Sequence, residues 1–455
     1  MTDRHEPARE RALHPECPDL ARLGPTRAHG WLRARAARVE ADRHEHRDLW
    51  RHGVSRRRFL AGAGLAGAAA LATPLVTARA SFGQPGDTGT LVVVFLRGGL
   101  DGLSVVVPAG DPHLAGVRPR IAVPAGALLP LDRGFGLHPS LAPLHELWGQ
   151  GRFTAVPAAA TPDTSRSHFQ AQDCLERGGA GSGTTEGWLD RVLDAMGPGT
   201  TFRAVSIGTS VARSLAGDQA ALSLRTVDKF RLAIDDADRH ERTTEAIRAL
   251  YTGIEHPLAA DVATTLAGLD TARLLAASDY QPAAEYPEGD FPTGLGEIAR
   301  LVRSDVGLRV ASIDVGGWDM HTDIGPVEDG NMTKRLEELG TALGAFATDL
   351  GDRLDDVTVV VVSEFGRRVE QNANSGTDHG HGGVMLLLGG GLAGGTVHGN
   401  WHDLSPDVLD QGDVPGWNDC RDVLGEVVIR RLGVPASALP TIFPGYAGQT
   451  VGVMS

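Results

Sequence analysis

Three stretches of this chain, LRVASID (308–314), VTVVVVS (357–363) and VMLLLGG (384–390), are nearly continuous apolar runs. Strand side chains alternate between two faces, so a run without polar alternation must be buried on both. Such strands belong in the middle of a parallel sheet covered by helices. Further short runs, TLVVVFL (90–96), FTAVPA (153–158) and FRAVSIG (202–208), alternate with helical patterns. The order predicts an α/β fold with a doubly wound, mostly parallel sheet. Leu336, Leu339, Leu343, Phe346 and Leu350 recur at three- and four-residue steps, placing one apolar stripe on the sheet and leaving KRLEE in water. Further helices are expected over 258–277 and from Cys420 to a stop at Gly433 and Pro435. Residues 211–290 are more polar and without strand runs, which reads as a mainly helical insertion into one domain spanning 81–455.

The N-terminal region reads differently. SRRRFLAGAGLAGAAALATPLVTARA (55–80) joins a Ser-Arg-Arg-x-Phe-Leu opening to a mildly apolar, glycine-rich stretch and a small-x-small end at Ala78 and Ala80. That is the pattern of a twin-arginine signal peptide, with cleavage expected after Ala80 and a periplasmic or extracellular destination. Glycine and Pro74 interrupt the apolar run, so no stable membrane span is expected after cleavage. Residues 1–54, rich in Arg, His and acids, read as a disordered leader or a misassigned start. The route exports folded proteins, which favours a ligand or metal inserted beforehand.

Residues 1–80 hold fifteen Arg and nine acids, so the whole-chain charge of −14 becomes −20 for the remainder. A surface so negative repels phosphate backbones and argues against nucleic acid as partner. Cys174 and Cys420 are the cysteines left after cleavage; one disulfide is possible, and no cysteine-based zinc pattern exists.

In open parallel sheets chemistry sits beyond the carboxyl ends of the strands, and here polar residues collect there. RGGLDGLS (97–104) follows the first strand, VGGWDMHTD (315–323) follows LRVASID, EFGRR (364–368) follows VTVVVVS, and TDHGHGG (377–383) precedes VMLLLGG. In an extended loop Asp319, His321 and Asp323 share a face, as do His379 and His381. Carboxylate and imidazole at that spacing suit zinc, manganese or iron. The plainer reading is that Asp314 or Asp319 caps a turn, that His321 is a hydrogen-bonded loop histidine, and that the glycines permit tight bends. Arg97 and Arg367 could grip a phosphate or sulfate oxyanion, or pair with Asp101 or Glu364. Glu364 could be a ligand, a general base or that arginine's partner. In TPDTSRSHFQAQD (161–173), Ser167 beside His168 opens a helix and is either a nucleophile or oxyanion contact, or an N-cap.

The motifs LVVVFLRGGLDGLSVVVP, SRSHFQAQD, GGWDMHTD, SEFGR and TDHGHGG, in that order behind the signal, resemble a large bacterial family of twin-arginine-exported proteins of unknown function. That family is grouped by fold with the alkaline phosphatase and sulfatase superfamily. The resemblance covers nearly all of 90–450 and implies a metal centre at the carboxyl strand ends. It implies Asp101 as a first-strand metal ligand, Ser167 near the nucleophile position, and Asp319 and His321 as a ligand pair of altered spacing. His379 or His381 would be the last histidine. The superfamily's Asp-His pair is replaced here by Glu364-Phe365, leaving a single-metal site, a rewired pair using Asp378, or a binding protein without catalysis.

The resulting expectation is a secreted hydrolase of phosphate or sulfate esters. Its divalent metal (zinc, manganese or calcium) would be held among Asp101, Asp319, His321, Asp378, His379 and His381. Ser167, Arg97, Arg367 and Glu364 would serve catalysis, and the partners would be an anionic small molecule or glycan and the export machinery. The rival is a noncatalytic envelope protein binding an anionic glycan or protein partner through the same pocket. An exported oxidoreductase is disfavoured, because Gly98-Gly99 and the glycines at 389–391 lack a dinucleotide-binding context.

Overall fold

A computed structural model describes residues 89–455 except 180–183, 233, 235–236, 254–258, 279 and 447. The expected leader and signal, residues 1–80, lie outside the described residues.

Eleven strands are described: β1 Thr90–Leu96, β2 Val106–Pro108, β3 Leu129–Pro130, β4 Phe135–Leu137, β5 Phe153–Ala160, β6 Ala204–Ile207, β7 Leu222–Leu224, β8 Val310–Val315, β9 Val357–Val362, β10 Gly383–Gly389 and β11 Asn418–Asp419. Eight form one sheet in the order β11-β5-β10-β9-β1-β8-β6-β7, and β2-β4-β3 form a small second sheet. The longer helices are α1 Ala142–Gly149, α2 His168–Glu176, α3 Trp188–Met196, α4 Ala237–Tyr251, α5 Ala259–Ala276, α6 Asp290–Arg303, α7 Asn331–Leu350 and α8 Cys420–Leu432.

β1 is buried along its whole length, as is β9. Its side chains divide between two cores. Val92, Val94 and Leu96 meet the apolar stripe of α7 (Leu336, Leu339, Leu343, Phe346, Leu350) and residues of α6 and α1. Leu91, Val93 and Phe95 meet Leu189, Val192 and Leu193 of α3 and Val423, Leu424, Val427 and Val428 of α8. A continuous apolar run therefore serves both faces, which is why it carries no polar alternation. α8 stops where Gly433 takes a left-handed conformation with φ 72°.

Two features differ from the expectation. β10 is antiparallel to both β9 and β5; an apolar run reports burial but not direction, since side-chain alternation is the same either way. The stretch 211–290 contains α4 and α5 but also β7, which extends the sheet beside β6; three residues are too short to show a periodicity. Cys174 and Cys420 are both free and buried, and burial pushes the Cys174 thiol up to about 11.

The direction of β10 decides where the polar loops meet. β1, β8 and β9 end nearly level, with Leu96 beside Val315 and Phe95 beside Val362. Because β10 runs the other way, its first residue, Gly383, meets Ala159 at the end of β5. The segment before β10 thus joins the loops after β1, β5, β8 and β9 at one sheet edge. Among the described residues, no helix is long and apolar enough to cross a membrane.

Leu343 is fully buried between α7 and the sheet. Leu343→Ala is expected to cost about 2–5 kcal/mol of stability in a urea titration, from lost transfer energy plus a cavity.

Candidate metal centre

Five segments meet at this edge, and four of them are tied together by one cation. Arg367, just after β9, is 2% exposed. Its Nε donates to the Gly99 carbonyl at 2.6 Å and its Nη1 to the Thr377 carbonyl at 2.9 Å. Nη2 donates to the Gly98 carbonyl and, at 2.6 Å, to Asp319 Oδ1. These contacts tie the loops after β1 and β8 and before β10 to the loop after β9. The Gly-Gly pair makes this approach possible. Gly98 has φ 127°, and a Cβ there would lie 2.4 Å from the Asp319 amide nitrogen. Gly99, with φ 70°, would place a Cβ 2.3 Å from the Phe365 ring.

Glu364 is fully buried and accepts from four groups. Gly98 N–H donates to Oε1 at 2.9 Å, Gln172 Nε2 at 2.9 Å, His168 Nδ1 at 2.8 Å, and Ser363 Oγ–H to Oε2 at 3.0 Å. Burial raises its pKa, but the bonds from Gln172, His168 and backbone amides outweigh it and hold the carboxyl below its ordinary range. His168 and Gln172 are one turn apart on α2, so one helix face delivers both to the same carboxylate.

The consequence is a set of oriented imidazoles. His168 gives its Nδ1–H to Glu364, and in the neutral ring that makes Nε2 the acceptor. That atom is buried, lacks a hydrogen-bond partner, and lies 3.4 Å from Asp319 Oδ2. His379 gives its Nδ1–H to the Arg166 carbonyl at 2.8 Å, so its Nε2 also faces inward, 3.4 Å from Asp319 Oδ1. Ligand atoms of His168, Asp319 and His379 all lie within 4.8 Å of one another. Two imidazole lone pairs and a carboxylate converging in this way suit zinc or a similar divalent cation, with acceptors on the outer nitrogens fixing each ring. Partial burial works against the charge on Asp319, but the hydrogen-bonded Arg367 guanidinium more than offsets it and holds the carboxyl below its ordinary range. Burial keeps His379 below the ordinary imidazole range, the neutral form a ligand needs.

His321 adjoins this group. Its Nε2 is 2.9 Å from His379 Nε2 and 3.0 Å from Asp319 Oδ1, and its Nδ1 is 3.3 Å from Asp378 Oδ1. Asn372 donates to Asp378 at 3.2 Å and to the His321 carbonyl at 2.8 Å. The structure thus brings together Asp319, His321, Asp378 and His379 as expected from the motifs.

Other expected residues have different company. Asp101 lies outside the ligand group: it is buried, paired with the equally buried Arg118 at 2.6 and 2.9 Å, and accepts from Ser104 Oγ at 2.6 Å. His381 also lies outside it, its Nε2 donating to the Thr161 carbonyl at 3.1 Å. Asp323 turns its backbone amide to the Asn374 carbonyl at 3.0 Å. Arg97 is committed to Glu176 at 2.8 Å and Asp314 at 2.7 Å rather than facing an oxyanion. Arg367 is likewise spent on carbonyls and Asp319. Ser167 occupies the N-cap position of α2, but its side chain makes no capping bond. His168, absent from the expected ligands, is central. Its sequence signal was the four-residue step to Gln172 in a helix opening at a strand end.

Two substitutions test this framework. Gly98→Ala is expected to displace the Asp319 backbone and cost about 1–3 kcal/mol, seen as a lowered thermal midpoint with altered histidine NMR signals. Asp101→Asn strips the buried Arg118 of its counter-charge and is expected to cost about 3–5 kcal/mol in chemical denaturation.

Known structures resemble this one only loosely. The lipoteichoic acid synthase LtaP of Listeria monocytogenes is 11% identical, over 82% of this chain and 78% of that one, with a TM-score of 0.33. The PsFucS1 sulfatase of a Pseudoalteromonas species is 12% identical, over 68% and 64%, with a TM-score of 0.29. The lipooligosaccharide phosphoethanolamine transferase EptA of Neisseria meningitidis is 11% identical, over 80% and 60%, with a TM-score of 0.27. No curated protein matches the chain. Residues 137–415 match the family described as protein of unknown function (DUF1501), and the chain belongs to that family.

Proposed function

We propose that this chain is an exported, metal-dependent hydrolase of phosphate or sulfate esters with one cation held by His168, Asp319 and His379. The observation that supports it is the convergence of those three ligand atoms within 4.8 Å, with the His168 Nε2 buried and unpartnered. A bound divalent cation would supply Lewis acidity, drawing electron density from an ester oxygen and lowering the pKa of a hydroxyl or water. The protein's own groups do the rest. Glu364 and the Arg166 carbonyl hold the two ring orientations. Ser167, one residue before His168 and without a capping bond, would serve as the nucleophile. His321, backed by Asp378 and partly open to solvent, is suited to give or take a proton at Nε2. The expected signal at 55–80 would carry the folded protein out of the cytoplasm.

The commitment of both Arg97 and Arg367 to internal partners favours a second reading, a noncatalytic envelope protein binding an anionic glycan or partner at the same place. Elemental analysis of the exported protein is expected to find about one zinc or manganese per chain. His168→Ala and His379→Ala should each weaken zinc binding by about 100-fold or more. Turnover of p-nitrophenyl phosphate or sulfate, lost in both variants, supports the hydrolase. Metal content unchanged in both variants would falsify the centre, and a zinc-loaded wild type without turnover that still binds a sulfated glycan would favour the second reading.

A further inference from the structure

Arg166 is a non-glycine residue in the left-handed region, with φ 56°. That conformation costs about 1–3 kcal/mol and persists only where the surroundings hold it. Here both ends of the residue are engaged. The carbonyl accepts from His379 Nδ1 at 2.8 Å. The guanidinium pairs at 2.6 Å with Asp413, which is 1% exposed. Asp413 in turn is fixed on the far side: its backbone bridges that of Arg368, its carboxylate lies 3.7 Å from Arg368 Nε, and the preceding residue, Arg367, bridges His379. A buried carboxylate without a direct contact to the candidate centre is thus wedged between the two segments that frame His379.

We propose that Asp413 is a positioning residue acting through Arg166: the ion pair pins the left-handed turn, and the turn aims the one carbonyl that captures the His379 Nδ1 proton. A neutral imidazole carries its proton on one nitrogen or the other. With Nδ1 capped, Nε2 keeps its lone pair toward Asp319 and His168. With the carbonyl swung away, the proton is free to sit on Nε2, where it blocks ligation. The purpose of this device rests on the metal-centre reading; the tautomer control itself does not.

The test uses full-length protein with 15N-labelled histidine at mildly alkaline pH, the His379 signal being identified by its loss in His379→Gln. The wild type is expected to show a single Nδ1–H tautomer. Asp413→Asn, which keeps the side chain's size, and Arg166→Gln, which removes the cation but keeps the cost of the left-handed backbone, should each yield a mixture of tautomers. Each should also weaken zinc binding by about 10–100-fold, the range for outer partners of ligating histidines. Arg166→Lys, which restores a cation opposite Asp413, should recover the wild-type pattern. A folded Asp413→Asn or, if that variant does not fold, a folded Arg166→Gln with an unchanged single tautomer and zinc affinity within about twofold of wild type would overturn the proposal. A tautomer mixture in the variants of a protein that takes up no zinc would sink the metal reading while leaving this inference standing.

Discussion

A guanidinium removed from water must find acceptors for its five N–H groups inside the protein, or its burial costs several kcal/mol. Arg367 meets that demand with backbone carbonyls from three different loops and the Asp319 carboxylate. Satisfying the cation and assembling the strand-end loops are therefore one event. The glycines at 98 and 99 belong to the same constraint, since any Cβ there would hold the loop after β1 away from Asp319 and Phe365. What reads as a polar motif rich in potential chemistry is, for Arg367, mostly architecture.

The carboxylate counterpart is Glu364. Full burial works against its charge, yet donors from α2 and from the loop after β1 keep it ionised. An ionised acceptor opposite His168 Nδ1 selects the tautomer whose Nε2 points inward. The ordinary carbonyl of Arg166 does the same for His379. Two rings approach one aspartate from opposite elements, each oriented from behind by a group that is itself locked. Such preorganisation is what a ligand set needs, because side chains that must be ordered on binding would subtract that entropy from affinity.

The long apolar runs made the sheet legible: β8, β9 and β10 all lie inside it, where continuous burial on both faces required, and α7 presents the predicted stripe. Strand direction was not legible, because alternation is blind to polarity. The motifs 315–323 and 377–383 did meet in space, bringing Asp319, His321, Asp378 and His379 together. The partition of charges escaped the sequence. Asp101 pairs with Arg118, and Arg97 with Glu176 and Asp314, although no spacing rule links residues so placed. His168 carried only faint signals, a place beside Ser167 and a four-residue step to Gln172, since its role depends on Glu364, 196 positions away.

β1 is the first strand of the large sheet to be made and sits in its middle, yet both neighbours lie far downstream: Arg97 meets Asp314 across 217 positions, and Leu96 meets Ser363 across 267. A nascent chain emerging from the ribosome must therefore leave this apolar strand unpaired until most of the polypeptide has been translated. Such a segment is a natural handle for a chaperone and a hazard without one. The histidine cluster is likewise incomplete until the segment leading into β10 has been made.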